Sequence, residues 1–163
     1  MKLSRVLLPL LLSSWLNVAH STTPATTTYA PVQGQAGKDV IWIPTPEGLI
    51  DKMLTAANVT HQDKVFDLGA GDGIIAITAA RKYNAQSVGI EFNPDMAQFA
   101  RRKVAEAGLN DKVRIITGDI FQEDFSSATV VTLYLMPHLN MKLRPTLLKM
   151  KPGTRIVSPA FTM

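Results

Sequence analysis

The stretch Val65-Phe66-Asp67-Leu68-Gly69-Ala70-Gly71-Asp72-Gly73 decides how the rest of the chain is read. A short apolar β-forming run carries an aspartate, passes three glycines at alternate positions and leads into Ile74-Ile75-Ala76-Ile77-Thr78-Ala79-Ala80, which is helix-like. The order is strand, tight glycine turn, helix start. Glycine lacks a Cβ and tolerates positive φ, so a ligand can lie close to this backbone, and the first helical N–H groups point at it. The stretch reads as a nucleotide-type cofactor site.

Outward from it, the text from residue 64 alternates strand-like and helix-like segments. Strands are expected at 64–68, 87–92, 113–117, 129–135 and 155–157, with helices at 73–83 and 94–107 and a further helical segment after Pro137 that breaks at Pro145. In the second helix Pro94 suits the first helical position, Met96, Phe99, Ala100 and Val104 share one face, and Gly108 suits the C-terminal end. Repeated βα units of this length imply a three-layer, Rossmann-like α/β fold: a parallel sheet with right-handed crossovers and helices on both faces. Before the first strand, residues 39–46 are extended, because each proline biases its predecessor away from the helical region. Leu49, Ile50, Met53, Leu54 and Ala57 then recur at helical spacing. Trp42 with Pro44-Thr45-Pro46 reads either as a staple holding that helix or as a lid over the cofactor.

The chain has 163 residues, 46% of them hydrophobic, enough for one domain with a sizeable core. Residues 1–21 read as a secretory signal or an N-terminal membrane anchor: Lys2 and Arg5 form the charged start, Val6 to Leu12 the apolar part and Ala19-His20-Ser21 the cleavage site. An exported (periplasmic) or inner-membrane-anchored bacterial protein follows from that reading, and a cytoplasmic one if the segment is no signal. Residues 22–38, rich in Thr, Pro, Gln and Gly, are expected to be a disordered linker, leaving 39–163 as the cofactor-binding domain. The net charge of +4 includes Lys2 and Arg5, and neither a basic run nor basic residues interleaved with aromatics occurs, so no nucleic-acid partner is expected. Without cysteine there is no disulfide, thiol nucleophile or Cys-ligated zinc, and His20, His61 and His138 are too scattered to form a metal set.

In such a sheet the ligand sits at the carboxyl ends of the strands. Asp67, Glu91 and Asp119 fall at three successive strand ends. Each has a local use: bracing the loop, capping the next helix, or following glycine in a turn. Together they mark a ligand site. A dinucleotide needs G-x-G-x-x-G, but Ile74 stands where the third glycine would be, and Asp72 inside the loop would repel a pyrophosphate. S-adenosyl-L-methionine, with its sulfonium, ammonium, ribose hydroxyls and adenine amine, suits a carboxylate-lined site. Glu91 can accept the ribose hydroxyls, Asp119 the exocyclic amine, and Asp67 lies near the methionine end.

Residues 65–73, Gly89-Ile90-Glu91, Gly118-Asp119 and Lys151-Pro152-Gly153, in that order, resemble the successive motifs of class I S-adenosylmethionine-dependent methyltransferases over residues 42–163. Within that class, Ile43-Pro44-Thr45-Pro46, Leu133-Tyr134-Leu135-Met136-Pro137, Leu143-Arg144-Pro145 and residues 153–158 are similar to a bacterial branch related to the mitochondrial lysine methyltransferases that act on the ATP synthase c-subunit and the adenine nucleotide translocase. The resemblance implies methyl transfer to a protein lysine. A small-molecule acceptor, a non-catalytic cofactor-binding module and, more distantly, an NAD-type oxidoreductase are the alternatives. The cofactor set expected is Asp67, Gly69, Ala70, Gly71, Asp72, Gly73, Glu91, Asp119 and Ile120, and the acceptor-side set Tyr134, Met136 and Pro137. His138 reads as a helix-start residue or a base. The class ordinarily has seven strands; five are expected here, with an exposed sheet edge open to self-association.

Overall fold

The structure, a computed structural model, describes residues 29–159. The signal or anchor over 1–21 lies outside these residues, as does the linker up to residue 28. The elements are α1 (Glu47–Ala56), β1 (Lys64–Leu68), α2 (Ile74–Tyr83), β2 (Gln86–Glu91), α3 (Pro94–Glu106), β3 (Val113–Thr117), β4 (Val130–Leu133), α4 (Pro137–Leu147) and β5 (Arg155–Val157). All neighbouring strands are parallel, in the order β3-β2-β1-β4-β5. The chain moves outward from β1 to β3, then returns to β1's other side for β4. The order therefore reverses between β1 and β4, where an open α/β sheet has its crevice.

Side chains alternate along β1. Val65 packs with Ile50 and Leu54 of α1 and Ile75 and Ala79 of α2, while Phe66 and Leu68 pack with Leu139, Leu143 and Leu147 of α4. The other side of α2, with Ala76, Ile77 and Ala80, meets Ala97, Ala100 and Val104 of α3 over Val113 and Ile115. Three helices thus cover one face and α4 the other. β1 and β4 carry runs of fully buried residues because both of their faces are covered.

β2 sits one residue earlier than expected, at Gln86–Glu91, so Phe92 lies beyond it, and three expectations shift further. β4 ends at Leu133, two residues short of 135, and 134–136 leave the sheet as an extended connection. α4 runs through Pro145 instead of breaking there. Proline removes only one bond, to the carbonyl four residues back, and it sits in the last turn, where burial of Leu143 and Leu147 holds the chain on the sheet. Order also begins before residue 39. Residues 34–42 form a small hairpin, with Gly34 N–H donating to Trp42 O and Trp42 N–H to Gln35 O, both at 2.9 Å, and an antiparallel bridge between Ala36 and Ile41. Tyr29 lies edge-on to Phe99 at 6.4 Å, and Arg102 donates to its carbonyl. A polar composition conceals this order because docking on the domain, not an internal apolar pattern, supplies it.

Candidate functional site

The glycine turn is built by the strand beside it. Gly69 and Ala70 N–H groups both donate to Ile90 O at 2.9 Å, and Gly71 N–H donates to Glu91 Oε2 at 2.9 Å. Glu91 Oε1 accepts from Asn93 N–H, and Asn93 Oδ1 in turn caps α3 by accepting from Asp95 and Met96. One carboxylate therefore joins the loop after β1 to the helix after β2. Gly71 has φ +53°, and a Cβ there would meet Trp42 Nε1 at 2.6 Å. The position needs glycine on both counts. Through that contact Trp42 closes over the loop.

These residues line one open cavity of about 970 Å³, counting its mouth, at the carboxyl ends of the strands. Of the expected cofactor set, Asp67, Gly69, Ala70, Gly71, Asp72, Glu91, Asp119 and Ile120 all line it. Gly73 does not: it precedes α2 in a left-handed conformation, and a Cβ there would meet Ala100 at 3.2 Å. Its smallness serves the packing of α2 against α3. Tyr134, partly buried, lines the cavity, whereas Met136 and Pro137 are exposed outside the lining, Met136 just before α4 and Pro137 at its first position, followed by exposed His138.

The carboxylates differ in state. Asp67 is buried; its Oδ1 accepts from Thr132 Oγ at 2.6 Å and its Oδ2 has no protein partner. Burial pushes its pKa up to about 7 against the Thr132 hydrogen bond, and the charges of Asp72 and Glu91 add to the rise. An unpartnered buried acceptor in this crevice suits a cationic ligand, which would lower that pKa. Asp119 is the opposite case. Lys38 Nζ donates to its Oδ2 at 2.8 Å and Phe121 N–H to its Oδ1 at 2.9 Å, and the Lys38 hydrogen bond, followed by that of Phe121, holds its pKa below the usual range. Asp72 pairs with Lys103 of α3 at 2.6 Å. Its charge is partly neutralised, and Asp67 is only partly ionised near pH 7, so the weight against a pyrophosphate rests mainly on Glu91 instead of on Asp72.

Thr132, Lys38 and Phe92 were not legible as site residues. Thr132 is in register with Asp67, a relation visible only once β1 and β4 are known to be neighbours. Lys38 sits in a segment whose composition suggests a linker, and its Nζ also lies 4.4 Å from the Phe92 ring centroid. Phe92 directly follows the carboxylate that ends β2, and that position was the available signal.

Residues 67–163 match the ANTKMT methyltransferase domain. A protein-lysine N-methyltransferase of Saccharolobus islandicus is 43% identical over 124 residues, 75% of this chain and 77% of that protein. The mouse lysine N-methyltransferase named for the ATP synthase C-subunit is 29% identical over 99 residues, and there the chain spans only 38% of its relative's length. Among solved structures, an RNA methyltransferase of Salinibacter ruber in complex with S-adenosyl-L-homocysteine is 50% identical with a TM-score of 0.73, covering 74% of this chain and 80% of that one. The glycine turn, the carboxylates at the strand ends and these similarities agree: the chain belongs to the ANTKMT methyltransferase domain family, within the S-adenosylmethionine-dependent methyltransferases.

Proposed function

We propose that the methyl acceptor is the amine of a protein lysine. The observation that carries this reading is the charge of the cavity. Its lining includes five carboxylates (Asp39, Asp67, Asp72, Glu91 and Asp119) and one lysine, Lys38. With Asp72 paired to Lys103 and Asp119 to Lys38 the lining is still net acidic, which favours an ammonium over a phosphate, and its one lysine is engaged by Asp119 where an RNA backbone calls for several free Lys and Arg contacts. The names of the Saccharolobus and mouse relatives support a lysine acceptor, and that of the Salinibacter relative supports RNA. The cavity's charge favours the first.

S-adenosylmethionine, when bound, supplies a methyl group on a sulfonium. Asp67, Glu91 and Asp119 would hold it, Asp67 through its unpartnered Oδ2 and the other two through acceptor capacity beyond the bonds they already accept, with Gly69 and Gly71 leaving the backbone open to close approach. The work left to the chain is alignment and exclusion of water. Trp42 beside Gly71, Leu135 beside Gly69, and Leu139 give the cavity apolar lining. A lysine amine attacks only after losing its proton, and desolvation in such surroundings favours the neutral form. Tyr134, which lines the cavity on the connection after β4, is the residue to which this reading gives the role of orienting it.

Incubation with radiolabelled S-adenosylmethionine and lysate separated into protein and RNA tests the assignment. Label on lysine in the protein fraction is expected. Label entering RNA, or a small-molecule fraction alone, would overturn it.

A further inference from the structure

The carboxylate expected to receive the cofactor's amine already has a cation on it. Lys38 Nζ is 2.8 Å from Asp119 Oδ2 and 4.4 Å from the centre of the Phe92 ring, so it occupies both the acceptor and the aromatic face beside it. Both residues line the cavity, as does Lys38 itself. The lysine reaches this point from outside the sheet, on the hairpin 34–42, eighty-one residues away in sequence from its partner. The same hairpin carries Trp42 to Gly71. The lysine side is the more exposed, 38% against 16% for Asp119.

We propose that Lys38 is an internal competitor for the cofactor subsite, so that Asp119 is released to a ligand only when the ligand's own N–H donor replaces the lysine. The inference rests on the cofactor reading given above. Two charges exposed to this degree hold each other weakly, which sets the size of the effect. The competition lowers the apparent affinity by the fraction of molecules with the subsite open, without altering the contacts the ligand makes once bound. Lys38 thereby tunes cofactor affinity while standing apart from the methyl-transfer step.

The test is binding of S-adenosyl-L-homocysteine to the full chain by isothermal titration, for the wild type and Lys38→Met, at low and high salt. Methionine keeps an apolar stem for Phe92 and removes the charge. Lys38→Met is expected to bind about three- to tenfold more tightly at low salt. The gap should narrow at high salt, because salt weakens the wild type's exposed ion pair. In turnover KM for S-adenosylmethionine should fall with kcat unchanged, a split that a merely structural lysine would not produce. Equal or weaker binding by Lys38→Met would overturn the competitor role while leaving the cofactor assignment standing. Failure of both proteins to bind S-adenosylhomocysteine would overturn the two together.

Discussion

Asp67 shows how one buried group can link pH, stability and binding. Its folded-state pKa of about 7 lies above the 3.8 of an unperturbed aspartate. Between those values the unfolded chain gives up a proton that the folded chain keeps, so stability falls as pH rises from about 4 and levels off above about 7. The full span corresponds to at most about 4 kcal/mol. Asp67→Asn keeps an acceptor for Thr132 and removes the charge. Thermal unfolding of the ligand-free variant should therefore change less between pH 5 and pH 8 than that of the wild type, and its affinity for S-adenosylhomocysteine should drop. A wild type whose unfolding temperature is flat over that range would contradict the raised pKa. Tyr134 makes a second prediction at this scale. Replacing it with Phe should lower kcat on the order of tenfold, the loss of one orienting hydrogen bond, with cofactor affinity unchanged.

Among the elements, the turn between β1 and α2 is both rigid and exacting. Gly71 lies between two constraints: its N–H is held by Glu91, and its α-carbon faces the Trp42 indole. Gly71→Ala forces a Cβ into a left-handed conformation at roughly 1–2 kcal/mol and pushes Trp42 off the loop. Lower thermal stability together with weaker S-adenosylhomocysteine binding is expected, measured by calorimetry on one preparation. An alanine variant that bound normally would show that the Trp42 contact is dispensable. α2 depends on its small residues, Ala76, Ala79 and Ala80, to sit close to both neighbouring helices. That closeness delivers the start of α2 to the cavity.

For the whole molecule, the end of the sheet away from the cavity has its own fastening. Asp63 accepts from Thr129 Oγ at 2.7 Å and Thr60 N–H at 2.7 Å and pairs with Arg155, whose guanidinium also donates to the carbonyls of Ala57 and Asn58 at 2.9 Å. Burial raises the Asp63 pKa, but the hydrogen bonds from Thr129 and Thr60 and the charge of Arg155 outweigh it and hold the group below its ordinary value. Its contribution is therefore present above about pH 4 and lost as pH falls further. Asp63→Ala removes one partner of a buried network and should cost roughly 2–3 kcal/mol, read from denaturant unfolding. Cofactor affinity should stay within about twofold, since the network fastens β1, β4 and β5 at their far ends. A large loss of binding would mean that the two ends of the sheet are coupled.

By itself the sequence determined the order and kind of the elements, the glycine turn, and the carboxylates at three strand ends. These features are local: periodicity of two or 3.6, a backbone that only glycine adopts readily, and charges placed just where apolar runs stop. Strands 1, 3 and 5 have the limits expected of them, and Asp67, Glu91 and Asp119 meet in one cavity. The side-chain partners of Asp67, Asp72 and Asp119 were decided only by the tertiary structure. Thr132 reaches Asp67 because β4 lies against β1, Lys103 reaches Asp72 because α3 packs beside α2, and Lys38 reaches Asp119 because a polar hairpin folds back over the crevice. Each pairing joins residues at least thirty-one positions apart, and no local pattern encodes which of many lysines or threonines strand order will bring within hydrogen-bonding reach.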